Sequence, residues 1–348
     1  MFKEKKIALG LVILLIVSIV SLSGCGKEDA GDASAVDQDE KVIEISYGHG
    51  FMPETPHHKA AIKFKEDVEA KSNNRIKVNL FPSGQLGSAR EMFEGLQMGT
   101  QEIALVPTAR ISGFAPELQL FDLPFLFPTR EIAYQIMDGK VGDELLHNLE
   151  SQQVKGIAFY EDGFKHFTAN NELRSIEDFR GVKFRTMESP IIMNQFRALG
   201  SNPVPIDFSE LYNSLQLGVV DGQENPLVTI LNMKFYEVQD YLMISSHAYL
   251  GHVLIFSNSW FNSLPEDIQE ILVSTGRDVA QWQRAAVQEE EVAYLKTIEE
   301  SGTTIIHLTE QERNVMRDAT RSVHDEYRKL FGDDILDKTY EEIDRLNN

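Results

Sequence analysis

Cysteine, tryptophan and basic charge are scarce in this chain. Its 348 residues include one cysteine, Cys25, and two tryptophans. A single cysteine excludes an intrachain disulfide and any cysteine-rich metal cluster. Basic residues number 33 against 54 acidic ones, for a formal net charge of −21. A surface that acidic repels phosphate backbones, which argues against a nucleic-acid partner. No HExxH, P-loop, nucleophile elbow or strand-borne GxGxxG occurs, and there is no internal repeat. The signatures of metalloproteases, nucleotide-using enzymes and serine hydrolases are therefore missing, and no cofactor is implied. What remains is ordinary globular material. Apolar residues make up 42% of the chain, and its length suggests about two domains at ~150 residues each.

The lone cysteine matters for its position. Residues Met1–Lys6 are basic, Ile7–Leu22 is an unbroken run of apolar and small residues, and Leu22-Ser23-Gly24-Cys25 follows. A basic start, a short apolar stretch and a small-residue site describe an export signal, and the run is short for a spanning helix. Leu22–Cys25 resembles a bacterial lipobox, which implies a signal peptide over 1–24 and a lipid on Cys25. The segment after the cysteine, up to residue 41, is small, acidic and without aromatics, so it reads as a flexible tether. The protein is then expected outside the cytoplasm, at the outer face of the cytoplasmic membrane or in the periplasm.

From Val42 the pattern alternates. Val42–Tyr47 reads as a strand, Pro56–Lys71 as a helix, Arg75–Phe81 as a strand, Ser88–Gly99 as a helix and Glu102–Pro107 as a short apolar strand. Such alternation implies an α/β fold. Thr129–Gln153 reads as helical, and Val154–Tyr160, Val182–Arg185 and Leu217–Val220 as strands. Ser189-Pro190 opens a further helix as N-cap and first-turn proline. From Pro265 to about Ser301 only Gly276 interrupts a helical pattern, and roughly 35 residues would span about 50 Å. One helix of that length would touch two lobes. Two ordinary helices joined near Gly276 are the other possibility.

The densest set of motifs lies between Gly163 and Pro226: Gly181-Val182-Lys183-Phe184-Arg185, Ala198-Leu199-Gly200-Ser201-Asn202-Pro203, Phe208-Ser209-Glu210-Leu211-Tyr212, and Leu215 through Pro226 with Asp221-Gly222-Gln223-Glu224-Asn225 inside it. With Phe81-Pro82-Ser83-Gly84-Gln85-Leu86-Gly87, Phe121-Asp122-Leu123-Pro124-Phe125 and Phe235-Tyr236-Glu237-Val238, these motifs resemble the substrate-binding proteins of tripartite ATP-independent periplasmic (TRAP) transporters, the DctP family. The similarity runs from about Val42 to Phe331. It implies two lobes with a ligand cleft between them, at 42–162 plus 251–290 and at 163–250 plus 291–348. It also implies capture of a small organic acid, a C4-dicarboxylate or a sugar acid such as a uronate. Delivery to integral-membrane transporter subunits would follow. The chain is expected to be a monomer and not an enzyme.

Several residues could hold that acid. Arg185 shares a strand face with Lys183, opposite Val182 and Phe184, and ends the strand just before a helix start, where α/β crevices hold ligands. A guanidinium fork suits a planar carboxylate, and the resemblance places the family's carboxylate clamp here. Asn225, read as part of a turn, can both donate and accept, and the family's ligand-contacting asparagine falls on it. Phe208 falls where the family packs an aromatic against the acid. Lys165 stands where a second arginine is common in the family, keeping the charge but losing the fork. Arg110 could face the crevice from the first lobe, Glu188 could accept from ligand hydroxyls, and His49 could donate. Arg90 and Glu91 are weaker candidates. His57 and His58 are adjacent and diverge on any helix, a poor metal pair. Two other functions fit the bare sequence. One is an exported glycosidase using Asp207 with Asp221 or Glu210 with Glu224, the other a receptor lobe that reports ligand to a sensor protein.

Overall fold

The computed structural model describes residues 42–347. The predicted signal peptide, Cys25 and the tether through residue 41 lie outside the described residues. Nine strands form one sheet: β1 (Ile43–His49), β2 (Ile76–Phe81), β3 (Ile103–Pro107), β4 (Val154–Ala169), β5 (Lys183–Thr186), β6 (Asn202–Pro205), β7 (Gly222–Asn225), β8 (Tyr241–Ser257) and β9 (Thr304–His307). Their order is β2-β1-β3-β8-β4-β7-β5-β6, with β9 pairing the free side of β8.

Two of these strands span the sheet. β4 and β8 run antiparallel, from Val154 opposite Ser257 to Ala169 opposite Tyr241. At one end β8 takes β3 alongside its residues 252–256, and β1 and β2 extend that half-sheet in parallel. At the other end β7 joins β4 at 166–169, β5 and β6 continue in parallel, and β9 joins β8 at 241–244. Each half-sheet becomes a lobe because helices cover both of its faces. In the first lobe Ile103 and Leu105 face a core with Phe64 and Val68 of the helix Pro56–Lys71, while Ala104 and Val106 face Phe93 and Leu96 of the helix Ala89–Met98. Burial on both sides is why this strand is apolar throughout, as expected of parallel sheets under helices. In the second lobe Phe167 and Phe184 pack with Phe196, and on the opposite face Leu242 packs with Leu211 and Leu215. The fold is the expected two-lobe α/β arrangement.

The long helix is a single element, Glu266–Glu300. Its buried residues include 268, 272, 276, 279, 283, 287, 294 and 298, a stripe that keeps to one face for the helix's whole length. Ile268, Leu272 and Val279 belong to the first lobe's core, and Tyr294 and Ile298 to the second's. Between them, polar side chains reach the crossing strands. The β4–β8 register shifts between Glu161 and Gly163, which leaves backbone groups outside the ladder. Gln283 satisfies those of Glu161, accepting from its N–H at 3.0 Å and donating to its carbonyl at 2.6 Å. Arg284 forks onto Asp138 at 2.6 and 2.8 Å and donates to the Phe159 carbonyl at 2.8 Å. Gly163 sits in the irregularity at φ +118°, a conformation other residues reach only with strain.

Two expectations need correction. Leu217 and Val219 are exposed in a turn, and the strand lies at Gly222–Asn225, so Asn225 ends a strand rather than following one. Its register is set by pairing with β4 and β5 rather than by its own weak pattern. Thr129–Gln153 divides into helices Arg130–Met137 and Lys140–Asn148 and a 3₁₀ turn, Leu149–Gln152, because Asp138 and Gly139 break the first helix. The helix Asp334–Asn347 packs Leu336 and Ile343 in one core with Ile136, Val141 and Leu145.

Gly276 lets the long helix lie directly on the sheet. A Cβ there would come within 2.8 Å of Ile157 Cγ2 and 3.0 Å of Leu254 Cδ2. In an exposed helix Gly→Ala gains about 1 kcal/mol. Here overpacking, which costs ~1–3 kcal/mol, should outweigh that gain. Gly276→Ala is expected to lower stability by about 1 kcal/mol in urea denaturation. A stabilised variant would show that the contact is not tight.

Candidate functional site

The parallel strands of both half-sheets point their carboxyl ends at one cavity of about 800 Å³. Phe51 and Met52 follow β1, Ser83 and Gly84 follow β2, and Arg110 follows β3. From the second lobe come Arg185 and Met187 at the end of β5, Phe208 beyond β6 and Asn225 at the end of β7. Asp162, Leu250 and His252 line it from the crossing strands. Crevices outside the carboxyl ends of strands are where open α/β sheets bind ligands.

Arg185 is 1% exposed. Phe184 turns into the second lobe's core, which leaves Arg185 on the opposite side of β5. Its Nε donates to the carbonyl of Ile206 at 3.0 Å, and its Nη2 has no hydrogen-bond partner. The same carbonyl accepts from Arg110 Nη2 at 3.4 Å, so one backbone oxygen holds both guanidinium groups. Arg110 is paired, with Asp207 3.5 Å from its Nη1. Among the described residues no carboxylate stands in ion-pair contact with Arg185. Burial, and then the neighbouring Arg110 charge, pull its pKa well below the ordinary guanidinium value, against the opposing pull of Glu224 and Asp207. The Phe208 ring lies 6.0 Å from the guanidinium carbon. Asn225 is buried and its amide donates to the Gln223 side chain.

Arg185, Asn225, Phe208 and Arg110 therefore meet around the cavity, with Arg90 and Glu91 on its rim. Lys165, Glu188 and His49 are not among the lining residues. Lys165 is fully buried and its Nζ donates to Glu224 at 2.6 Å. Glu224 also accepts from His247 Nε2 at 2.6 Å and from Gln195 at 3.2 Å. Burial pushes the Glu224 carboxyl up, but the Lys165 charge and the His247 bond outweigh it and hold it at about 2. Glu188 is exposed, its backbone carbonyl accepts from Ser112 Oγ at 2.9 Å, and its charge acts on Arg110 together with that of Asp207. His49 is closed off against His58, 3.1 Å from Nε2 to Nδ1. The acidic pairs also separate. Asp221 accepts from the Lys183 N–H at 2.8 Å, Asp207 faces Arg110, and Glu224 is consumed by Lys165.

The sequence reading passed over Asp162, Thr229 and His252. Asp162 is buried, accepts from the Thr229 hydroxyl at 2.9 Å, and keeps Oδ1 without a hydrogen-bond partner, 3.7 Å from His57 Nε2. Burial, reinforced by Glu161, pushes it up to about 7 despite the Thr229 bond. No local pattern marks these residues, because they come from the crossing strands and from a short helix, Leu227–Asn232.

The family model for bacterial extracellular solute-binding proteins, family 7 (DctP), matches residues 47–330. The chain belongs to this family. Its members bind solutes for transporters and are not enzymes, which removes the glycosidase reading. A C4-dicarboxylate-binding periplasmic protein DctP of Rhodobacter capsulatus is 34% identical over 295 residues, covering 83% of this chain and 88% of that protein. Among solved structures, a TRAP periplasmic solute-binding protein from Desulfovibrio salexigens with bound orotic acid superposes with a TM-score of 0.84 at 36% identity, covering 87% of this chain and 99% of that one. The sugar acid binding protein DctPAm from Advenella mimigardefordensis, in complex with galactonate, gives 0.85 at 32% identity, with 88% and 99% covered. TRAP solute-binding proteins bind small carboxylate ligands and work with membrane subunits.

The Lys165–Glu224 pair allows a double-mutant test. Removing one partner of a buried pair costs roughly 3–5 kcal/mol, because the other charge is left uncompensated. Lys165→Met and Glu224→Gln are each expected to lose stability in that range, while the double variant recovers a large part of it. Glu224 is depressed in the folded state, so its stabilising contribution is present above the unfolded value near 4.5 and lost as pH falls toward about 2. Acid titrations should show that slope in the wild type and not in the double variant. Additive losses would mean the two groups are not coupled.

Proposed function

We propose that this chain captures a small organic acid outside the cytoplasm and passes it to the membrane subunits of a TRAP transporter. The observation that supports this best is Arg185: a buried guanidinium with one nitrogen unpartnered and no carboxylate paired to it, at the strand ends that line the cavity. A carboxylate there would gain charge-assisted hydrogen bonds in a site that excludes water. Contacts from both lobes, Arg110 from the first and Arg185 with Asn225 from the second, favour a closed form only when ligand bridges them. Ligand thus shifts the balance by its differential affinity for that form. Within this reading the lobes divide near 162/163 and 250/251, and the helix Asp334–Asn347 moves with the first lobe. C4-dicarboxylates and sugar acids such as uronates are the classes suggested by the resemblance. The protein acts as a monomer held at the membrane by a lipid on Cys25. No described helix is long and apolar enough to cross a membrane.

Two experiments test this. Lysine at position 185 keeps the charge and loses the fork. Breaking a buried, hydrogen-bonded charge contact costs roughly 2–5 kcal/mol, about 30- to several-thousand-fold in Kd. Arg185→Lys should weaken the best-bound acid by that much in calorimetry while circular dichroism stays native. A folded variant within twofold of wild type would place the anchor elsewhere. Cys25→Ala should release the protein from the membrane fraction or block its processing. Unchanged processing and membrane association would reject the lipid anchor.

A further inference from the structure

The charges and walls of the cavity narrow the ligand class, given the reading of Arg185 as the carboxylate anchor. Three arginines line the cavity. Arg90 pairs with Glu94 at 3.1 Å and Arg110 with Asp207 at 3.5 Å. Only Arg185 among them lacks an ion pair within the described residues. Lys165, the other cation of this region, is spent on Glu224 at 2.6 Å. The site therefore has one free positive charge. A second carboxylate would find no unpaired arginine or lysine among these lining and neighbouring cations.

Beyond the crossing strands, where Asp162 Oδ1 and His252 Nδ1 lack hydrogen-bond partners, the interior offers a polyol few polar side chains. The Thr229 hydroxyl is already given to Asp162, and one N–H of the Asn225 amide to Gln223. The acidic and hydroxylic residues Glu91, Asp207, Ser209 and Glu210 are exposed, so they form the mouth and not the walls. The walls are thioether and aromatic: Met92, Met187 and Met233 with Phe51 and Phe208. Phe51 is braced from behind, its ring stacked on His57 at 3.7 Å and 8° and set 4.7 Å from His252. What it presents to the cavity is its remaining face and edge. Thioethers adapt to irregular apolar shapes and make favourable contacts with ring edges. In about 800 Å³, a four-carbon diacid would leave most of these surfaces against water.

We infer that the ligand is a monocarboxylic acid with an aromatic or branched apolar body, its carboxylate on Arg185 and its body between the methionines and Phe51. This departs from the dicarboxylate and sugar-acid classes suggested by resemblance. It rests on the proposal that Arg185 clamps the acid, so the experiment separates the two.

The test is calorimetry on the purified protein. One probe set is phenylacetate, benzoate and 4-methyl-2-oxopentanoate, and the other is succinate, malate, galactonate and galacturonate. At least one member of the first set should bind ten or more times tighter than every member of the second. Arg185→Lys should weaken it at least 30-fold, and Phe51→Ala about tenfold with unchanged thermal stability. If succinate, malate or a sugar acid binds tightest and Arg185→Lys abolishes it, the apolar-body inference fails while the carboxylate clamp stands. If no acid of either set binds, or binding ignores Arg185, both fail. If Phe51→Ala loses stability, Met233→Gln serves as the second wall variant. Unchanged affinity for the aromatic or branched acid in that variant would overturn the inference.

Discussion

The pairing of β4 with β8 is the constraint on which the molecule depends. Two strands of 16 and 17 residues run antiparallel through both lobes, and every other strand is attached to one end or the other of that ladder. A continuous ladder would make one stiff sheet. The register shift between Glu161 and Gly163 interrupts it midway, and the interruption has to be satisfied, because backbone groups outside a ladder are costly when buried. Gln283 from the long helix and His57 from the first helix, whose ring nitrogen lies 2.7 Å from the Glu161 carbonyl, do so. The crossing is thus both a discontinuity and a tightly bonded junction, and the cavity opens beside it through Asp162 and His252.

Charge in the interior is sorted on the same plan. Glu224, at the second-lobe end of the ladder, draws Lys165 and His247 onto itself and closes a buried, neutralised cluster. Burial lowers the His247 pKa against the opposing pull of Glu224, and its Nδ1 lies 2.7 Å from the Ser245 hydroxyl while Nε2 faces Glu224. Asp207 does the same for Arg110 at the mouth. Arg185 is left with a single backbone acceptor, shared with Arg110. An unpaired guanidinium is expensive to bury, and its cost is recovered when an anion arrives. The site is defined as much by the cations that have been neutralised as by the one that has not.

Sequence reading reached the element types because short local rules carry them. The Ser189-Pro190 start and the helices Pro56–Lys71 and Ala89–Met98 stand where pattern and capping put them. The long helix was legible because its apolar stripe continues past Gly276. The strand β8 was not recognised, and β4 was read only as far as Tyr160. Both are buried on two faces over much of their length and lack the alternation that marks a half-exposed strand. β7 was displaced toward Leu217 because Gly222–Asn225 is polar, and only its neighbours make it a strand.

The same division holds at the site. By itself the sequence determined the α/β class, the family, and the placement of Arg185 at a strand end before a helix cap, since each follows from local spacing or from motifs in order along the chain. Tertiary structure decided which candidates reach the cavity. Lys165 and Arg185 are both buried strand cations, twenty residues apart. Whether either is free depends on the partner that a neighbouring strand brings within bonding distance: Glu224 for Lys165, no carboxylate for Arg185. Electrostatic pairing acts over a few ångströms in space, and residues 59 positions apart in the chain share no local signal of it.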